Sequence, residues 1–158
     1  MKGSTISQLK KELSHRSSEE LLTLCLRLAK FKKENKELLS YLLFEAEDEN
    51  TYIERVKQEV AMQLNTINGK NYYWMRKSIR KVWKEVKKYI RYSQKKETEV
   101  ELLLDFCMQL KKLSPPISRD KTLQNMLERQ LASARKTIDM LHEDLQYDFN
   151  QQLEELMG

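Results

Sequence analysis

The chain has 158 residues, the size of one ordinary domain, with 34% charged residues and a net charge of +5. Three Gly and two Pro are all it contains, too few for a strand-and-turn architecture or for a glycine-rich phosphate loop or dinucleotide fingerprint. Two Cys and two His, far apart in the chain, exclude a structural zinc site, and neither histidine sits in a context that suggests a nucleophile–base pair.

The composition is that of helices, rich in Leu, Lys, Glu, Gln and Met, and predicts an all-α fold. Residues 5–14 space Ile6, Leu9 and Leu13 at helical intervals, giving a short first helix. Ser17 followed by Glu20 matches a capping box. It starts a second helix near Ser18, with Leu21, Leu22, Leu24, Cys25, Leu28 and Phe31 on a wide apolar arc. Lys32, Lys33 and Asn35 suit a break. A third helix carries Leu38, Leu39, Tyr41, Leu42, Leu43 and Phe44, apolar nearly all round at its end, which predicts a central position. The acids from Glu45 to Glu49 suit a turn and the N-terminus of a fourth helix with Tyr52, Ile53, Val56, Val60, Leu64 and Ile67 inward, ended by a left-handed cap at Asn68-Gly69.

The most lopsided segment follows. Lys70 to Lys96 holds eleven basic residues against one acid, Glu85, and contributes +10, so the rest of the chain sums to −5. Projected at about 100° per residue, Met75, Ile79, Val82, Trp83, Val86, Tyr89 and Ile90 share one arc. Arg76, Lys77, Arg80, Lys81, Lys84, Lys87, Lys88, Arg91 and Lys95 share the other, with Trp74 and Tyr92 beside it. Half of this helix is expected in the core, with Trp83, Val86 and Ile90 inside.

A sixth helix spans Glu97 to Leu113 and stops at Ser114-Pro115-Pro116, since tandem prolines cannot continue it. Beyond Arg119 no Gly or Pro interrupts the pattern before Leu156. One unbroken helix there would run roughly 57 Å, too long for a compact domain of this size. It either projects as a coiled-coil arm on the heptad stripe Leu131, Ala134, Ile138, Leu141 and Leu145, which would permit a homodimer through the C-terminal helix, or it breaks near Ala132 to Arg135.

LLTLCLRLAKF at 21–31 aligns without gaps to LLDFCMQLKKL at 103–113, Cys25 over Cys107 and Leu28 over Leu110. Carried onward, that alignment favours the break. The chain thus reads as a single domain, 1–158, of seven or eight antiparallel helices. Its arrangement is either an irregular bundle or an α-solenoid resembling HEAT-like stacked pairs, with pseudo-repeats 17–68 and 97–156 joined by the basic helix 71–95. Both thiols are expected reduced and buried.

No apolar leader and no run of about 18 apolar residues is present, so a cytoplasmic protein without a transmembrane segment is expected. Nothing implies a cofactor or an enzyme. Glu12/His15 and Asp139/His142 repeat a carboxylate–x–x–His spacing used in di-iron bundles, a remote metal-binding alternative. The expected function is binding or scaffolding through Arg76, Lys77, Arg80, Lys81, Lys84, Lys87, Lys88 and Arg91, flanked by Trp74 and Tyr92. The partner is an acidic protein or a membrane surface, or nucleic acid, whose phosphates the cations would neutralise and whose bases the aromatics would stack. The bland alternative is a solvated face paired with acids such as Glu45, Glu49 or Asp139.

Overall fold

The computed structural model describes residues 2–67, 69 and 71–158. Among these are eight α-helices and no strand: α1 (Ile6–Leu13), α2 (Ser18–Phe31), α3 (Lys33–Ser40), α4 (Glu49–Asn65), α5 (Tyr72–Ser93), α6 (Lys96–Lys111), α7 (Lys121–Ile138) and α8 (Glu143–Met157). The fold is all-α, as the composition requires. It falls into two compact units, Met1–Phe44 and Glu45–Gly158, and the division lies inside the first of the two proposed pseudo-repeats.

In the first unit the helices start where the caps place them. Thr5 and Gln8 form one capping box, and Ser17 and Glu20 another. The Ser17 amide and hydroxyl both bond with Glu20, and these bonds hold its carboxyl below the usual range. Lys32, in extended conformation, separates α2 from α3, and α3 folds back along α2 so that Cys25, Leu28 and Ala29 share an apolar cleft with Leu38, Leu39 and Leu42. The Asn35 amide donates to the Leu28 carbonyl at 2.8 Å and satisfies one orphan acceptor at the end of α2. A π-helical turn over Tyr41–Glu45 follows.

The expectation that the apolar end of this region is central is overturned: Leu42, Leu43 and Phe44 are exposed, and Tyr41 is the one buried residue described in the unit. Cys25 is likewise exposed. The physical reason is simple. An eight-residue helix folded onto one face of α2 covers one flank of a wide apolar arc and leaves the rest open.

The second unit has a conventional core, and α6 is its centre. It packs against α4, α5, α7 and α8, and Val100, Leu102, Leu103, Leu104, Phe106, Cys107 and Leu110 are all buried. Burial pushes the Cys107 thiol up to about 12 and also raises the Asp105 carboxyl above its usual range, against the hydrogen bond from Gln109. Helix α4 contributes Tyr52, Ile53, Val56, Val60 and Leu64 as expected. Its N-terminus is capped by Asp48, which accepts the Thr51 amide.

Two boundaries differ from expectation. Helix α4 ends at Asn65. Asn68, and with it the left-handed cap expected at Asn68-Gly69, lies outside the described residues. Glycine is needed at 69 for a close approach, because a Cβ there would stand 2.6 Å from both Pro115 Cδ and the Ser114 carbonyl oxygen. The long C-terminal stretch does break, but at Asp139–His142 rather than Ala132–Arg135. There the His142 ring accepts the Asp144 amide, Gln146 donates to the Leu141 carbonyl, and Glu143 and Asp144 favour the positive end of α8. Of the stripe Leu131, Ala134, Ile138, Leu141 and Leu145 that permitted a C-terminal coiled-coil dimer, Leu141 and Leu145 are half-buried, and Leu131, Ala134 and Ile138 are 0% to 7% exposed inside this unit. These last three are consumed by the chain's own core.

Candidate binding surface on the basic helix

Helix α5 begins at Asn71, whose side chain accepts the Trp74 amide at 3.0 Å, and ends at Gln94, which takes the left-handed conformation at φ 61°. Its apolar arc is buried as the periodicity predicts: Met75, Ile79, Val82, Val86 and Tyr89. Trp83 and Ile90 are half-buried rather than internal. The Trp83 ring stacks on Phe106 of α6, centroids 5.3 Å apart and planes at 25°, while the Lys87 ammonium lies 5.6 Å from the ring centroid.

Three sets of polar contacts fix the helix on the unit. At its start the Tyr72 hydroxyl donates to the Pro116 carbonyl at 2.7 Å, and Arg76 Nη1 lies 2.6 Å from Asp120 Oδ1. Asp120 also accepts the Leu123 amide as the cap of α7. In the middle, the Tyr89 hydroxyl donates to Glu59 at 2.9 Å and the Tyr52 hydroxyl donates to the Tyr89 carbonyl at 2.7 Å. Burial, and then the Glu59 carboxylate, push the Tyr89 hydroxyl far above the usual tyrosine range. Burial alone would lower the pKa of Arg55, but the bidentate bonds to Glu45 and the charge of Glu59 hold it above its ordinary value. At the far end, Glu49 accepts from the Ser93 and Thr98 hydroxyls. This draws the α5–α6 turn against the start of α4.

These contacts sort the ten residues singled out from the sequence. Arg76 is mostly buried and spent on Asp120. Lys88 is half-buried beside Glu85, at 2.8 Å. Tyr92 does not flank the basic strip: it is 9% exposed, with its ring edge-on to Tyr89, because the Glu49 anchor turns the last residues of α5 inward. Six cations remain together on the exposed face: Lys77, Arg80, Lys81, Lys84, Lys87 and Arg91. None makes an ion pair with a described residue. Of the acids that were to neutralise the strip, Glu45 is taken by Arg55, and Glu49 lies near Lys95 at 4.0 Å. From Lys77 to Arg91 the strip runs roughly 21 Å along the axis.

One aromatic was missed. Tyr73, in line with Lys77 and Lys84 on the helix, is 52% exposed and meets Trp74, 55% exposed, edge to face at 5.2 Å. The Lys77 ammonium lies 4.9 and 5.4 Å from the two ring centroids. The 100° projection places Tyr73 in the middle of the cationic arc, so the signal was available in the spacing.

Elsewhere in this unit a cleft of about 560 Å³ opens between α7 and the end of α8, walled by Ile117, Leu127, Leu131 and Leu156 with Lys111 and Arg135 at its edge. Among the described residues no three His, Cys, Asp or Glu side chains converge as metal ligands. The carboxylate–x–x–His spacing at 139–142 falls in an interhelical turn, where His142 serves as a helix cap. No described helix is long and apolar enough to cross a membrane. Comparison with known proteins gives no match: no family model, curated protein or solved structure is significantly similar to this chain.

Proposed function

We propose that this is a non-enzymatic helical binding or scaffolding protein whose α5 strip docks an acidic macromolecule, in a cytoplasmic setting that two free thiols favour. The observation that carries the reading is the set of six exposed cations on one face of a helix whose other face is core. Like charges in a row repel one another and add nothing to folding, so an unneutralised strip on a rigidly anchored helix is suited to a ligand that supplies the counter-charge. The anchors at Pro116, Asp120, Glu59 and Glu49 give such a strip a fixed geometry.

A second reading, nucleic acid as the acidic partner, is favoured by the exposed Tyr73–Trp74 pair beside Lys77. Two aromatic faces next to a phosphate-binding strip match the way unpaired bases are held.

Fluorescence anisotropy with single- and double-stranded oligonucleotides and with poly-glutamate, across a salt series, tests both. The first reading expects binding to at least one of these polyanions that weakens with salt and collapses in Arg80→Glu/Lys84→Glu/Lys87→Glu. Absence of binding to all three at about 50 mM salt overturns it. The nucleic-acid reading expects preference for the single strand and a loss of about 1–3 kcal/mol on Trp74→Ala. Equal affinity for poly-glutamate and single strand, unchanged by Trp74→Ala, refutes it.

A further inference from the structure

The first unit, Met1–Phe44, has a surface that its own helices do not account for. Twelve large apolar residues from Ile6 to Phe44, spread over α1, α2, α3 and the turn at 41–45, are 37% to 81% exposed, where soluble chains seldom leave so many large apolar side chains open to water. Isolated helices of this length are marginal in water, and units of about 40 residues without a core require an external one. Something must cover this face.

Helix α2 identifies the occupant, because its sequence is self-complementary about its own midpoint. Reversing the helix about Cys25 sets Leu22 opposite Leu28, Leu21 opposite the smaller Ala29, and Leu24 opposite Leu26. At about 100° per residue, Leu21, Leu22, Cys25, Leu28 and Ala29 fall on one seam with Cys25 at its centre. The charges invert as well. Glu19 and Glu20 occupy the first turn, while Arg27 and Lys30 lie toward the last, so an antiparallel partner brings acidic end to basic end with the two dipoles opposed. A parallel pairing would align like with like. The cleft that α3 forms with α2, about 230 Å³ and walled by Leu28, Leu38, Leu39 and Leu42, extends the same seam.

We infer that two copies of this chain associate through Met1–Phe44, as antiparallel α2–α3 hairpins related by a two-fold axis at Cys25. An isologous contact of this kind uses each residue twice, which is what a palindromic seam provides. Each hairpin then supplies the missing face of the other.

Sedimentation equilibrium of the full chain, from about 1 to 100 μM, reads the association, and a short bis-maleimide reads the axis. The wild type is expected at twice the monomer mass, with a Cys25–Cys25 cross-link that persists in Cys107→Ser and disappears in Cys25→Ser. Leu22→Asp/Leu28→Asp is expected at monomer mass, with the thermal transition of Glu45–Gly158 unmoved. That unmoved transition separates loss of pairing from general misfolding. A wild type that is monomeric at the highest concentration overturns the inference. So does a dimer that fails to cross-link at Cys25 or survives the double substitution.

Discussion

Helices α2 and α6 carry nearly the same apolar pattern and meet opposite fates. Leu24, Cys25 and Leu28 correspond to Phe106, Cys107 and Leu110, yet Leu24 is 40% and Leu28 61% exposed, while Phe106 and Cys107 are at 0% and Leu110 at 1%. The difference lies in the neighbours. Helix α6 is surrounded by α4, α5, α7 and α8, whereas α2 has α3 on one flank. A leucine-rich pattern specifies a helix that must be covered, and topology decides whether the chain or a second molecule does the covering. We therefore read α6 as the core of a self-sufficient unit and α2 as half of a core.

Substitutions sharpen that contrast, beginning with the largest. Phe106→Ala removes a fully buried ring that also supports Trp83, and should cost about 3–5 kcal/mol in the denaturant stability of Glu45–Gly158. The matching change in α2, Leu24→Ala, should leave that transition in place. Asp120→Ala loses both the cap of α7 and the partner of Arg76, and about 1–3 kcal/mol is expected in the same measurement, with Asp120→Asn milder because it still accepts the Leu123 amide. Gly69→Ala forces a Cβ against Pro115 and the Ser114 carbonyl, and should lower the melting temperature by an amount equivalent to about 1–3 kcal/mol.

A smaller effect tests the electrostatics of α6. The folded-state pKa of Asp105 is raised by burial, so its ionised form opposes folding. The sign is then fixed: the protonated carboxyl is favoured in the folded state, and stability falls as pH rises through the window above the ordinary aspartate value. Asp105→Asn should raise the melting temperature at pH 7, with a gain that shrinks as the pH is lowered through that window. A gain independent of pH would assign the effect to packing.

The sequence carried most of the fold and part of the surface. Helix starts were legible because Ser17 and Glu20 cap locally, and the Pro115-Pro116 stop is covalent in origin. The exposure of Cys25, Leu42, Leu43 and Phe44 was not legible, because coverage depends on how many helices reach a given face. The break at 139–142 was misplaced since the signals that set it, His142 and Gln146, act through side-chain bonds rather than through Gly or Pro. On α5 the strip was visible in the charge pattern. The withdrawal of Arg76, Lys88 and Tyr92 was not, because it depends on Asp120, Glu85 and the Glu49 anchor.

Amide hydrogen exchange compared between the wild type and Leu22→Asp/Leu28→Asp puts the contrast between the two units to its most direct test. The account predicts protected α2 and α3 amides in the wild type, exchange near the unfolded rate for the same amides in the variant, and protection in α4 to α8 that is equal in both. Equal protection of α2 in the two proteins would contradict it.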